Sequence, residues 1–469
     1  MKRKKVYISL LCIGIFLGLT LNSALAIEVT RTPTGVLTYT ENAVEGYTLL
    51  QTNPARLIDM NGIIVHEWPG AIGGDAQLTE VGTLLRASSC AAVDECDGNP
   101  LNWGGTQGRL REWTWDGELI WDIDLAEADW ISHHTFHRMP NGNTLVLIWE
   151  RYSRKEAIKK GRKPKTVNKE GATGTEPRPG IYIGDFWPDK IIEVAKCDPD
   201  VIDCYEIVWE WRAWDYLCNR KKPGCININY HIPRPTDITH RSSADFMHAN
   251  TIDYDPLNDL IVLGSRVFGE IYLIDHYTGD IVYRWGNPCA WDKKAECPSY
   301  MEDGDTWLFG HHGANFVSSY PNLVNIVIFD NGWLRPSGNR SRALEIEVEL
   351  HNRKYYKNPV EPLWDFQTAS ANSLNSQFVS YAQRIGESEN TLITSGMEGH
   401  LIEVTGDGEV VWEYVIPAVG PGDDPDQCDN IDGERTSFVF RTYRYEPGYE
   451  GLGDLFLEPV AWPNPELCP

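Results

Sequence analysis

The chain has 469 residues, 42% of them hydrophobic, with 42 Lys plus Arg against 67 Asp plus Glu and a formal net charge of −25. So acidic a balance argues against nucleic acid or an anionic membrane as the principal partner. The length exceeds one average domain, but a repeat architecture of this size can close on itself as a single unit.

Lys2, Arg3, Lys4 and Lys5 precede an apolar run from Val6 to Leu21, and Ala24-Leu25-Ala26 follows with small residues at the positions a signal peptidase reads. Residues 1–26 are therefore expected to be a secretory signal, with the mature chain starting near Ile27. The alternative is an uncleaved signal anchor, for which the apolar run is only marginally long. Cys12 lies inside that run rather than at the cleavage point, which argues against a lipid anchor. Losing four basic residues takes the net charge from −25 to −29. No later segment is apolar enough to cross a bilayer, so no stable membrane insertion is expected after signal removal.

Ten cysteines follow the signal and fall in pairs: Cys90 with Cys96, Cys197 with Cys204, Cys218 with Cys225, Cys289 with Cys297, and the distant Cys428 with Cys468. An even count in an exported chain favours disulfides and a periplasmic or extracellular location. Zinc is the rival, but none of the pairs has the close C-x₂₋₄-C spacing of a zinc site.

A unit made of a tight turn, a β-rich apolar run and a tryptophan recurs six times along the chain. It runs from Asn61 to Trp68, Asp116 to Trp121, Tyr205 to Trp211, Thr278 to Trp285, Glu361 to Phe366 and Asp407 to Trp412. Between these units lies a second recurring strand: Gly82 to Leu85, Asn143 to Leu147, Asp259 to Leu263, Leu323 to Phe329 and Asn390 to Ile393. Helical periodicity is nearly absent, and strands joined by Gly/Asn/Asp turns at a repeating interval imply radial four-stranded sheets. The expected fold is all-β: a six-bladed β-propeller over residues 27–417 with loop insertions, followed by a C-terminal extension over 418–469 that packs on it. Within that extension Ser437 to Tyr445 is β-like, and either completes a blade or covers one. The largest insertion, Tyr152 to Gly180, reads as a flexible basic excursion, its charge either attracting an anionic substrate or simply solvated.

Repeat phase also sorts the histidines. The innermost strand A of a blade starts on one rim, and the loop from strand B to strand C returns to that rim. His134, His248 and His312 precede their B strands by a similar interval, so they fall near the start of strand A, beside the central channel. His400, Arg266, Arg335, Arg340 and Arg342 fall in B–C loops on the same rim. Fixed positive charge, hydrogen-bond donors and imidazoles facing one channel mouth suit the handling of an anion. The bland reading is strand-capping histidines. Metal binding through His133, His134 and His137 is the other, disfavoured because alternation puts His133 and His134 on opposite faces of a strand.

These residues resemble the bacterial aryl-sulfate sulfotransferase family over about Gly46 to Pro417. The likeness rests on Leu57 to Trp68, His133-His134 with Pro140 to Asn143, Met247 to Asn250, Gly310 to His312, Phe329 to Gly332, Ser341-Arg342, and Gly399 to Glu403. It implies transfer of a sulfuryl group from an aryl sulfate to a phenol on a six-bladed propeller, with no nucleotide cofactor and no metal. The resemblance matches His400 to the transiently sulfated histidine and His248 and His312 to residues that bind or protonate the sulfuryl group. Arg335 is the first choice for the active-site arginine and Arg342 the second, with Arg266, His134, His311 and Asn331 as further substrate contacts. Well-known members carry an additional β-rich domain before the propeller, whereas here only about 20 residues are expected between the signal and the first repeat, so oligomeric state stays open. Two rivals remain: a quinone-dependent dehydrogenase, suggested by Asp275 to Trp285 but expected to use eight blades, and a binding propeller without turnover.

Overall fold

The computed structural model describes residues 34–68, 73–89, 104–164, 185–198, 200–230, 245–299, 301–350, 361–368, 374–386, 388–417, 438–453, 455 and 457. The proposed signal and residues 165–180 of the basic excursion lie outside them.

Six antiparallel sheets of four or five strands form the blades, I to VI, each running from inner strand A to outer strand D. Blade II comprises Ala76–Leu78, Leu84–Ser89, Gly108–Trp113 and Leu119–Asp124; blade III comprises Trp130–Arg138, Thr144–Glu150, Asp189–Lys196 and Tyr205–Arg212. Blade IV comprises Ala249–Asp255, Leu260–Ser265, Glu270–Asp275 and Ile281–Trp285; blade V comprises His312–Tyr320, Leu323–Asp330, Arg342–Glu349 and Trp364–Phe366. The six tryptophan units are therefore the D strands, and the second recurring strand is B.

Both chain ends clasp the ring. Blade VI (Tyr381–Arg384, Thr391–Ser395, His400–Val404, Val410–Val415) gains Gly35–Tyr39 as a fifth, outermost strand. Blade I takes Tyr47–Leu50, Ala55–Ile58 and Ile64–Trp68 from the N-terminal side, and its strand A is Thr442–Tyr445. The region expected to pack on the propeller as an extension thus supplies one of its strands.

A propeller blade is covered on both faces, so its strands read as near-continuous apolar runs rather than strict alternation. Six hydrophobic clusters fill the six junctions between neighbouring blades. In five of the six units the tryptophan also latches two blades, because its indole N–H donates to a carbonyl in or beside the C–D turn of the next blade. Trp68 reaches Thr114 O at 3.2 Å, Trp121 reaches Cys204 O at 3.1 Å and Trp211 reaches Gly279 O at 3.0 Å. Trp364 reaches Gly406 O at 3.1 Å, and Trp412 reaches Met60 O at 2.8 Å. For the sixth, Trp285, residues 351–360 between strands C and D of blade V lie outside the described residues.

Three of the five expected disulfides lie in the described residues: Cys197–Cys204, Cys218–Cys225 and Cys289–Cys297, with Cα separations of 5.5, 6.0 and 5.5 Å. Each closes a local loop, the first across the C–D turn of blade III. The other two expected pairs, Cys90 with Cys96 and Cys428 with Cys468, fall outside the described residues, so Cys90, Cys96, Cys428 and Cys468 remain paired by sequence alone. The excursion expected to be flexible begins as a helix, Arg154–Lys160. Ser153 and Glu156 form a capping box there, and the buried Arg162 donates to Ile228 O at 2.9 Å. Among the described residues no helix is long and apolar enough to cross a membrane.

The indole bonds predict that Trp121→Phe, at a fully buried site, lowers unfolding free energy by about 2 kcal/mol through a lost bond and an orphaned carbonyl. Tyr277→Ser, at an exposed site, should stay within about 0.5 kcal/mol. Urea denaturation of both variants checks this, and equal losses would contradict the latch.

Candidate active site

Three strand-A starts deliver histidines to the channel from blades III, IV and V. His134 sits in a bulge of its strand, where pairing shifts between Ser132 and Phe136 and its φ is +55°. His248 precedes its strand with φ +48°, and His312 opens its own. Left-handed backbone is uncommon outside glycine, and a bulge re-aims the side chain it carries. Here it turns the His134 and His248 rings toward each other, with centroids 4.6 Å apart. Gly105 makes room for His134: a Cβ there would lie 2.1 Å from the ring, and Gly105 O accepts the His134 N–H at 2.7 Å.

The bulge also corrects the expectation that His133 and His134 face opposite ways. Their Nδ1 atoms are 2.9 Å apart, because the left-handed residue breaks strand alternation. His133 stacks on Trp149 at 4.0 Å, and its Nε2 lies 3.3 Å from the buried Asp189. Asp189 also accepts the Ala249 N–H at 3.0 Å, fixing the backbone beside His248.

Ring partners distinguish the histidines. His248 Nδ1 makes a short bond to Asp245 Oδ2. His312 Nδ1 meets Asn331 Oδ1 at 2.7 Å, and Asn331 is oriented by donating to Ser376 O at 2.6 Å and Val379 O at 3.0 Å. With its oxygen turned to the ring, the amide requires a proton on His312 Nδ1 and leaves the lone pair on Nε2. The Val379 N–H, 3.2 Å from Nε2, agrees with that tautomer. Arg266, in the B–C loop of blade IV as expected, lies over Trp333 at 4.6 Å. Burial, reinforced by Arg266 and His248, holds His312 well below the ordinary imidazole value; burial and then His248 do the same for His134.

Other expected residues lie elsewhere. His400 opens strand C of blade VI, where it shares a face with Ile402, which packs against Val327 and Phe329 of blade V. Its Nε2 meets Glu413 at 2.8 Å, and no described contact joins it to the channel histidines. Arg335 and Arg342 both bind Asp330, the latter at 3.2 Å, and line a cavity beside the channel. His311 is buried next to Gly264 with neither ring nitrogen hydrogen-bonded. Asn331 serves as the orienting partner of His312. Asp245 was in view three residues before His248, whereas Asp189 follows the large insertion and carries no local signal. The described residues contain no group of three or more metal-type ligands.

Behind the histidines lies Arg441, 2% exposed and just ahead of strand A of blade I. It contacts Asp75 at 3.6 Å, Thr135 Oγ1 at 3.4 Å and Asn250 O at 3.1 Å, and lies 5.0 Å over Tyr381. Thr135 in turn donates to Asp75 at 2.5 Å.

Buried neutral imidazoles make stability depend on pH. Burial lowers His133 to about 3 and His311 to about 4, and holds His134 and His312 well below 6.5. In the unfolded chain each takes up a proton near 6.5, so protons favour unfolding. Their contribution is complete above that pH and falls below it, by up to about 1.4 kcal/mol per pH unit for each group. His276, raised by its bond to Glu193, and Asp189, raised by burial, offset part of the loss. Unfolding free energy should therefore be lower at pH 5.5 than at 7.5; equal values would contradict the buried neutral cluster.

Among solved structures, a Bacteroides caccae protein of unknown function is 13% identical, covering 79% of this chain and 93% of its own, with a TM-score of 0.41. A streptogramin B lyase is 10% identical (84% and 86% covered, TM-score 0.37). An inactive Staphylococcus aureus virginiamycin B lyase with quinupristin is 11% identical (82% and 91% covered, TM-score 0.36). None bears on the chemistry here. No curated protein matches the chain. The model of the arylsulfotransferase (ASST) family matches residues 194–418, from strand C of blade III to the end of blade VI and so through His248, Arg266 and His312. Over that stretch the chain is similar to the arylsulfotransferase family.

Proposed function

We propose that the chain transfers a sulfuryl group from an aryl sulfate to a phenol in its channel, with His312 as the nucleophile. The observation that carries this reading is the contrast between two ring partners. An amide holds His312 neutral with its lone pair on Nε2, whereas His248 Nδ1 is bonded to the Asp245 carboxylate, which orients that ring for proton exchange. One residue is suited to attack and the other to exchange a proton.

In the first half-reaction His312 Nε2 leaves the long contact with the Val379 N–H and attacks sulfur. The S–O bond to the aryl group breaks, and the phenolate takes the Nε2 proton of His248. The sulfated His312 ring keeps its Nδ1 proton on Asn331 Oδ1 and carries the positive charge opposite the sulfonate. In the second half-reaction neutral His248 takes the proton of an incoming phenol, whose oxygen attacks sulfur, and the N–S electron pair returns to Nε2. Arg266 and His134 would hold the equatorial oxygens, preorganised charge and donors being worth most where water is excluded. This reading moves the nucleophile from His400, which sits between blades on Glu413, and the anion-binding arginine from Arg335 to Arg266. No step calls for a cofactor. The leader and the disulfides fit an exported protein working in an oxidising compartment.

A chromogenic aryl sulfate with a phenol acceptor tests the assignment. His312→Ala should abolish acceptor-dependent release, while Asp245→Asn should lower kcat by about 10²–10⁴-fold. His400→Ala should retain transfer. Loss in His400→Ala with turnover kept in His312→Ala would overturn the assignment, and no turnover by the parent protein across a broad donor panel would favour a binding propeller.

The pH profile gives a second check. Since His312 stays neutral well below 6.5 and the leaving group needs a proton, kcat/KM for the donor should not fall between pH 7.5 and 5.5. A fall centred near 6.5 would mean that the nucleophile is an ordinary, unburied histidine.

A further inference from the structure

One cavity, of about 880 Å³, lies apart from the channel. It opens on the same rim, between the end of blade IV, the connection stapled by Cys289–Cys297, and the B–C loop of blade V. One wall is aromatic: Trp285 and Trp307 lie near-parallel with ring centroids 6.1 Å apart, and Trp291 adjoins them. Its volume falls within the range of small-molecule sites, which pair apolar walls with a few polar groups.

The polar groups divide into those already engaged and those open. Arg342 donates to Asp330 at 3.2 Å, Asp365 at 2.6 Å and Trp307 O at 2.8 Å, which fixes the indole it supports. Arg335 is held by Asp330, and Arg284 by the buried Glu270 at 2.5 Å. The lining carboxylates staple the loops: Asp303 accepts from Ser337 N at 3.0 Å and Oγ at 2.7 Å, Asp305 from Glu296 N at 2.8 Å, and Asp292 from Lys294 N at 2.9 Å. Arg340 and Lys294 are different: both line the cavity, both are exposed, and neither side chain has an ion pair among the described residues. Two open cations stand at the mouth of an indole-lined cavity, in a chain with a net charge of −25.

We infer that this cavity is a second binding site, for an aromatic anion whose ring lies on the indole wall and whose sulfate, sulfonate or carboxylate meets Arg340 and Lys294. Indole faces favour planar rings, and a guanidinium and an ammonium favour an oxyanion over a neutral phenol. A wall separates the site from the channel: Trp333, under Arg266 on the channel side, donates its backbone N–H to the O of Phe309, whose ring lies 5.3 Å from Arg335 on the cavity side. Binding here therefore does not depend on the transfer reading.

The test titrates the full-length oxidised protein with 2-naphthalenesulfonate, whose C–S bond cannot be transferred, and follows the heat of binding. Saturable binding should persist in His312→Ala and Arg266→Ala. In the double variant Arg340→Glu/Lys294→Glu, with the circular dichroism of the parent, it should weaken about tenfold or more. The milder Arg340→Gln/Lys294→Gln should fall between, and neutral 2-naphthol should bind more weakly than the sulfonate. Transfer at saturating donor should be unchanged in both double variants. Binding that is absent, unaffected by charge reversal, lost with Arg266→Ala, or equal for 2-naphthol would overturn the site. A parent protein that binds the sulfonate but transfers nothing would sink the proposed function and leave this inference standing.

Discussion

The site exists only because the ring closes, and the closing contact is Arg441. A propeller blade gains its second covered face from its neighbour, so a ring with an open junction would leave two apolar faces wet. The chain meets this demand twice, adding Gly35–Tyr39 outside blade VI and Thr442–Tyr445 inside blade I. Arg441 leads into the latter and reaches residues of blades III, IV and VI as well as Asp75, next to blade II. Breaking so buried an ion pair leaves an uncompensated charge, commonly at a cost of about 3–5 kcal/mol. Thr135 follows His134 and Asn250 lies two residues after His248, so the contacts that tie the axis also seat two of the channel histidines.

The same burial that fills the core sets the chemistry above the axis. An imidazole removed from water loses its charged form unless a carboxylate restores it. The Nδ1 of His312 has an amide for a partner, whereas that of His248 has Asp245, and in the proposed reaction this difference divides attack from proton transfer. Left-handed backbone at His134 and His248 is the local strain the arrangement carries, and Gly105 is the vacancy that permits it.

Much of the architecture was legible because it repeats. Trp68, Trp121 and Trp412 recur with a turn because each must fill a junction and reach the following blade, so period and function coincide. The phase of His134, His248 and His312 followed from the same period. What escaped was whatever departs from it. The bulge that brings His133 to His134 breaks the alternation on which the opposite-faces expectation relied. His400, Arg335 and Arg342 were placed on the correct rim, but rim position does not specify radius or face, and register put His400 between blades and the two arginines behind Asp330. Ser153 and Glu156 carried a readable capping box inside a stretch judged by composition alone.

Identifying which imidazole carries the sulfuryl group tests the account most directly. The protein would be mixed with an aryl sulfate in the absence of acceptor, quenched in base, digested, and the adduct mapped by mass spectrometry. The account predicts a sulfuryl group on His312, released when a phenol is added before the quench. An adduct on His400, or on His248 with His312 unmodified, would contradict it.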